Sequence, residues 1–253
     1  MKITFLGTGT SQGVPVIGCN CEVCQSLDFR DKRTRTSLHL EHEGKSIVID
    51  TGPDFRMQML RESINRLDAV VYTHEHKDHT AGLDDIRPFN FMQQTDIPLF
   101  GTPQVLDQIK TEFSYIFSAN KYPGIPRVLI NEIGNQPFDV LGMPFSPIQV
   151  MHHKLPVLGF RIKDFTYITD ANYIAPEEIE KIKGTRILVV NALQIKPHIS
   201  HFTLDEALAF IDEIGPGMAY LTHTSHRMGM HQRVQEHLPE NVELAFDGLK
   251  IEL

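Results

Sequence analysis

The chain reads as short apolar stretches punctuated by turn residues. Residues 2–6, 36–40 and 46–50 alternate or run apolar, and Gly44 predicts a hairpin turn between the last two. Asp50-Thr51-Gly52-Pro53 stops a strand, and the fixed φ of Pro53 suits the first turn of a helix to about Glu62. Residues 68–72 form another buried strand, and 97–100 predict a strand followed by a helix from Pro103 to about Phe113. Strand-like runs return at 127–130, 137–140, 145–151, 157–163 and 165–169, and a helix follows from Pro176 to about Lys183. Ile187-Leu188-Val189-Val190 is a further buried strand. Thr203 is an N-cap for 204–213, with Glu206 completing a capping box. Strands are expected at 217–222, 242–246 and 249–252, with a helix from about 230 to 238.

Many strands come first, and helices are interspersed in both halves. An α/β sandwich of two mixed β-sheets packed face to face, with helices outside each (αββα), fits that order. There is no internal repeat and no linker rich in Pro, Gly or Ser, so residues 1–253 are expected to form one domain. The segment 113–127 is aromatic and poorly periodic and reads as a loop or lid.

Composition changes this picture little. A hydrophobic share of 41% and a charged share of 22% are those of an ordinary globular protein. The formal net charge of -8 argues against broad nucleic-acid binding, which needs basic patches. No apolar stretch approaches the roughly 20 residues that span a bilayer. The apolar part of the N-terminus is too short for a secretory signal, so the expected location is the cytoplasm, without membrane contact.

The candidate chemistry is concentrated in Thr73-His74-Glu75-His76-Lys77-Asp78-His79, directly after the apolar run Ala69-Val70-Val71-Tyr72. Imidazole and carboxylate are the donors that divalent ions find at neutral pH. A strand delivering His-x-His-x-Asp-His into a short loop can aim alternate donors at two neighbouring ions. Further donors follow strands elsewhere: His152 or His153 after Val150-Met151, Asp170 after Tyr167-Ile168-Thr169, and His223 after Tyr220-Leu221-Thr222. The ions could be manganese or zinc, because these donors suit both.

Cys19, Cys21 and Cys24 are the only cysteines and fall in one short window. A disulfide framework needs an even number spread along the chain, so a reduced cluster holding a structural zinc is the better reading. His226, three residues after His223, would complete a tetrahedral Cys3His site and tie the two ends of the chain together. The stretch Gly7-Thr8-Gly9-Thr10-Ser11-Gln12-Gly13 lacks the Lys and Ser/Thr of a phosphate-binding P-loop and reads as a turn after the first strand.

Asp50, the heptapeptide, His152, Asp170 and His223 resemble, in order, the five motifs of the metallo-β-lactamase superfamily. Gly-Thr-Gly-x-x-Gln-Gly-Val-Pro, Cys-x-Cys-x-x-Cys and His-x-x-His are similar to its PhnP-like branch, which includes a phosphoribosyl cyclic phosphodiesterase. The resemblance implies the αββα sandwich. It also implies one ion on His74, His76, His152 and Asp170, and a second on Asp78, His79, Asp170 and His223, with Asp170 bridging and Asp50 supporting from behind. It favours His152 over His153.

The implied activity is a metal-dependent phosphodiesterase acting on small phosphodiesters, cyclic ones included. Two cations about 3.5–4 Å apart would activate water toward phosphorus and clamp a phosphoryl oxygen. Asp78 would also orient the water, and His201, just before the Thr203 cap, would protonate the leaving group. A homodimer is implied by the branch alone. Arg33, Arg35 and Arg87 could meet phosphate, but each is expected to be structural; Asp84 and Asp85 are expected to complement a helix start. Rival readings are a transfer-RNA 3′-end endonuclease, a thioesterase, lactonase or glyoxalase, and a non-catalytic, metal-dependent partner-binding protein. Residues 84–150 hold four basic residues (Arg87, Lys110, Lys121, Arg127) against seven acidic ones, a poor grip for RNA.

Overall fold

The computed structural model describes residues 1–119 and 123–253. The strands are β1 (Lys2–Gly7), β2 (Ser37–His42), β3 (Lys45–Ile49), β4 (Ala69–Val71), β5 (Ile97–Gly101), β6 (Val128–Glu132), β7 (Phe138–Val140) and β8 (Met143–His152). They continue with β9 (Leu155–Ile162), β10 (Phe165–Tyr167), β11 (Tyr173–Ile174), β12 (Ile187–Asn191), β13 (Met218–Thr222), β14 (Val242–Leu244) and β15 (Lys250–Glu252). Among the described residues they form two mixed sheets, β15-β1-β2-β3-β4-β5-β6 and β11-β8-β9-β10-β12-β13-β14, with β7 paired to β8. The hairpins β1-β2-β3 and β8-β9 are antiparallel, whereas β3-β4-β5-β6 and β10-β12-β13-β14 are parallel.

The continuous apolar runs have a simple cause. Each inner strand is buried on both faces, so both alternating sets of side chains must be apolar. In β3 and β4, Ile47, Ile49, Ala69 and Val71 face the second sheet, where Phe145, Phe160, Tyr167 and Val189 meet them. Val48 and Val70 face outward, onto Phe55, Met59, Phe89, Leu106 and Ile109 of the helices Phe55–Arg61, Arg87–Gln93 and Pro103–Glu112. In β12, Ile187 and Val189 point inward, while Leu188 and Val190 meet Phe210 and Ile211 of the helix Leu204–Ile214. The order of layers is helix, sheet, sheet, helix. No helix among the described residues is long and apolar enough to cross a membrane.

The capping box is present: Thr203 accepts from the Glu206 amide, and Glu206 accepts from the Thr203 amide at 2.8 Å. Other boundaries differ from expectation. The helix after Pro53 begins only at Phe55, because Gly52 and Pro53 are consumed by the turn that turns the chain out of β3. The helix expected at 230–238 is the shorter His231–Gln235, and the strand expected at 242–246 stops at Leu244. Asp84 and Asp85 do lie in the first turn of a short 3-10 segment, Leu83–Ile86, although Asp84 spends its charge on Arg87 at 2.7 Å. In the segment 113–127, Ser114–Phe117 is a helical turn whose Ile116 is buried in the helix layer, and Tyr115 donates to Asp84. Lys121 lies outside the described residues.

Candidate metal centre

The parallel strands β3, β4, β10, β12 and β13 all end at one rim, and the donors stand just past those ends. Open α/β sheets place their sites there because the loops converge beyond the strands' carboxyl ends. Asp50 follows β3, Thr73 and His74 follow β4, Asp170 follows β10 and His223 follows β13. His76 precedes, and Asp78 and His79 lie in, the single helical turn Lys77–Thr80. His152 ends β8.

Asp50 organises the first loop. It is fully buried and accepts from the Thr73 amide at 2.9 Å and the Thr73 hydroxyl at 2.7 Å. Its Oδ2 also lies 2.7 Å from His79 Nδ1, which leaves Nε2 as the free ring nitrogen. Thr73 Oγ1 in turn lies 2.9 Å from His74 Nδ1, so His74 likewise presents Nε2. That nitrogen faces His76 Nδ1 at 3.1 Å. His152 directs Nδ1 at the Ser200 carbonyl, 2.9 Å away, and its ring centroid is 5.1 Å from that of His76. His153 points elsewhere: it is exposed, and its amide donates to Asn172. Gly52 permits this packing, because a Cβ there would lie 2.2 Å from the Asp78 carbonyl oxygen.

Two groups of donors are closely gathered. Asp78, His79, Asp170 and His223 each present an atom within 4.8 Å of the others. So do His152, Asp170 and His201, with Asp170 common to both groups. His201 Nε2 lies 3.2 Å from Asp170 Oδ1, and the His201 and His223 rings stack at 5.0 Å between centroids. The residues expected at the paired site thus lie along one rim, but the close group around His152 joins it to Asp170 and His201 and not to His74 and His76, so His201 competes for a ligand position. Glu75 turns away and accepts from Gln104.

The electrostatics explain why such a cluster needs cations. Burial holds the imidazoles of His74, His152 and His223 below their ordinary value, His223 at about 4, so they keep lone pairs to offer. His79 goes the other way. Burial opposes its charge, yet Asp78, Asp170 and Asp50 outweigh burial and hold it well above the usual range. Burial likewise opposes the Asp170 charge, but His223 and His79 hold that carboxyl well below its ordinary value. Three carboxylates thus crowd one imidazole whose Nε2 is buried and has no hydrogen-bond partner among the described residues. It sits 3.3 Å from both Asp78 Oδ2 and Asp170 Oδ2. A buried, unpartnered ring nitrogen between two carboxylates is what a divalent ion would satisfy, so the donors fit a metal pair.

The second cluster also forms. His226 Nδ1 lies 3.3 Å from the sulfurs of Cys19 and Cys21 and 3.6 Å from that of Cys24. The Cys24 amide, donating to Cys21, helps hold the Cys21 thiol at about 6, toward the thiolate that zinc requires. Four soft and borderline donors in one closed group fit a structural zinc.

The arginines are structural, as expected, though not all by ion pairing. Arg35 pairs with Asp54 at 3.0 Å and Arg87 with Asp84. Arg33 is buried, has no carboxylate partner among the described residues, and donates instead to Thr8 and the Ala245 carbonyl, with His231 beside it. Two residues escaped the sequence reading. Asn191, at the end of β12, grips both the amide (2.7 Å) and the carbonyl (2.9 Å) of Ala171 and so fixes the turn that presents Asp170. Thr169 donates to Asp170 Oδ2 at 2.5 Å. Nothing in their spacing marks them; a buried Asn at a strand end is the nearest signal.

Residues 45–224 match the model of the beta-lactamase superfamily domain. A crystal structure of a diphosphatase from the PhnP family superposes with a TM-score of 0.93 at 38% identity, covering 100% of this chain and 97% of that one. An octanoyltransferase of Porphyromonas gingivalis is 43% identical over 253 residues, 99% of this chain but 51% of that protein. A ribonuclease Z of Bradyrhizobium diazoefficiens is 28% identical over 162 residues, 62% of this chain and 48% of that protein. The chain spans about half the length of the curated relatives it matches. The family model across most of the chain, and the PhnP-family structure across all of it, agree with the two sheets and the rim of donors: the chain belongs to the metallo-β-lactamase-fold hydrolases, in their PhnP-like branch.

Proposed function

We propose that the chain is a metal-dependent phosphodiesterase acting on small phosphodiesters, cyclic ones included. The observation that carries this reading is the convergence of Asp78, His79, Asp170 and His223 with His152 and His201 around one shared carboxylate. His74, His76, His152 and Asp170 would hold one divalent ion, manganese or zinc, and Asp78, His79, Asp170 and His223 the other. When bound, such a pair supplies an activated water and a positive clamp for a phosphoryl oxygen.

The chain's own residues do the rest. Asp50 and Thr73 fix the tautomers of His79 and His74, so donors meet the substrate preorganised. Asp78 lies 3.3 Å from His79 at the edge of the site and orients the attacking water. His201 stands on the far side of Asp170. Its Nε2 is the group that gives a proton to a departing alkoxide, while Nδ1 is steadied by Ser200 Oγ at 3.0 Å. Small diesters suit the cavity beside His201, which has a volume of about 230 Å³. The PhnP-family diphosphatase, similar over its whole length, supports chemistry at phosphorus.

The name of the octanoyltransferase relative favours a second reading, hydrolysis of an acyl ester or thioester, although the match covers half of that protein. One assay separates them. Protein loaded with manganese or zinc is given bis(p-nitrophenyl) phosphate and, separately, an octanoyl thioester, beside His76→Ala. Metal-dependent turnover of the diester that is lost in the variant is the expected result. Turnover of the thioester alone would replace this reading with the second, and turnover of neither would favour a partner-binding protein.

A further inference from the structure

On the outer face of β1 and β2 the apolar pattern stops. Lys2, Thr4, His39 and Glu41 point away from the core side chains Ile3, Phe5, Leu38 and Leu40. With Ser46 and Lys45 of β3, Lys250 of β15 and the loop 62–66, they line a cavity of about 320 Å³, a size that small-molecule sites share. The cavity sits at the amino end of β3, whereas the metal donors stand past the carboxyl ends of the strands. No step of the proposed reaction uses it.

Three of the lining residues are polar yet almost wholly buried: Thr4 is 3% exposed, and His39 and Ser46 are each 5%. Ser46 donates its hydroxyl hydrogen to the Arg66 carbonyl at 2.6 Å, so its oxygen accepts from His39 Nε2, 2.8 Å away. That fixes the tautomer. Burial holds the His39 imidazole down at about 4, so the ring is neutral and Nδ1 keeps its lone pair. Neither Nδ1 nor the Thr4 hydroxyl has a hydrogen-bond partner among the described residues, and neither atom is sealed off from the cavity. An acceptor held in a buried wall and turned to an open cavity calls for a donor from whatever fills it.

The charge of the cavity runs against that of the acidic chain. Lys2, Lys45, Arg66 and Lys250 line it, against the carboxylates of Glu41 and Glu62. Glu62 is held by Arg61 at 2.8 Å and Lys250 at 3.0 Å, and Arg66 is held by Asp68 at 2.8 Å. The ammonium groups of Lys2 and Lys45 have no hydrogen-bond or ion-pair partner among the described residues. Glu41, opposite Lys2 in the β1-β2 register, has none either. Two uncommitted ammonium groups suit an anion, while His39 Nδ1 and Glu41, which only accept, suit hydroxyls on the same molecule.

We infer that this cavity is a second ligand site, remote from the metals, for a small polyhydroxylated anion, a sugar phosphate or a sugar acid. Lys2 and Lys45 take the anionic group, and His39 Nδ1 and Glu41 take the hydroxyls. The inference does not rest on the phosphodiesterase reading.

Zinc-loaded protein carrying ¹⁵N in its histidine rings is titrated with glucose 6-phosphate, gluconate, glucose and inorganic phosphate, and the ring signals are followed by NMR. The His39 signals report this cavity; a ligand held only at the metal rim leaves them in place. The free protein is expected to show His39 protonated on Nε2 alone. An anionic sugar should shift Nδ1 and bind at least about tenfold more tightly than glucose or inorganic phosphate, the span of one charge-assisted hydrogen bond. Lys2→Ala and Lys45→Ala, both exposed changes, should each weaken that binding about tenfold, and Lys45→Arg should restore part of it. A response to glucose 6-phosphate, to gluconate or to both supports the site and identifies its anionic group. His39 signals unmoved by either at millimolar concentration overturn the inference. So does binding of inorganic phosphate as tight as that of the sugars, or binding unchanged in both lysine variants. None of these readouts depends on turnover.

Discussion

Asp50, Asp170 and His223 adopt left-handed backbone conformations, with φ of 65°, 57° and 55°. Non-glycine residues rarely do so, and each instance costs on the order of 1 kcal/mol or more. All three follow strands at the same rim, so the strain lies where donors must turn sharply out of a sheet. Asp and His are among the side chains that tolerate it best. Asp50→Asn keeps that tolerance and removes the charge behind His79. Metal affinity should fall about tenfold to a hundredfold, read by titration with manganese or zinc. His201→Ala should lower kcat about a hundredfold to ten-thousandfold on a diester with an alkyl leaving group and far less on bis(p-nitrophenyl) phosphate. Nitrophenolate departs without a proton, so equal losses on both substrates would make His201 a metal ligand instead.

The elements were largely legible because the buried strands are unmixed runs of Val, Ile, Leu and Phe, and because Thr203 and Glu206 spell a cap. The donors were legible for the same reason: each directly follows such a run. What could not be read is set by tertiary packing. The choice of His152 over His153 came from the resemblance alone, because it depends on which face the hairpin β8-β9 turns to the rim. The delayed helix after Pro53 depends on Gly52 lying against the Asp78 carbonyl. The helix Leu204–Ile214 fixes the loop that carries His198 and His201, because Leu204 donates to the Gln194 carbonyl and Phe202 to that of Ala171. Removing its cap with Thr203→Ala should cost about 1 kcal/mol in urea unfolding. Turnover at low denaturant should fall less than in His201→Ala.

At the scale of the molecule, the chain's two ends are knotted together beside the site. Asp247 accepts from Thr8 and Thr34, the Thr224 amide donates to the Thr8 carbonyl, and Cys19, Cys21 and Cys24 meet His226. A zinc in the cysteine cluster would tie the N-terminal loop to the loop that carries His223. Cys21→Ser should therefore lose one zinc per chain and lower the melting temperature, while the paired ions at the rim remain. Loss of all bound metal in that variant would show that the two clusters are not independent.

Donors from four separate stretches, backed by Asp50 from a fifth, are proposed to gather two adjacent ions at the rim. Anomalous diffraction from crystals of manganese-loaded protein, collected at the metal edge, tests it most directly. Two peaks about 3.5–4 Å apart are expected. One should touch His74, His76 and His152, the other Asp78, His79 and His223, with Asp170 between them. A single peak at the rim, or none with the only ion held by Cys19, Cys21, Cys24 and His226, would contradict it.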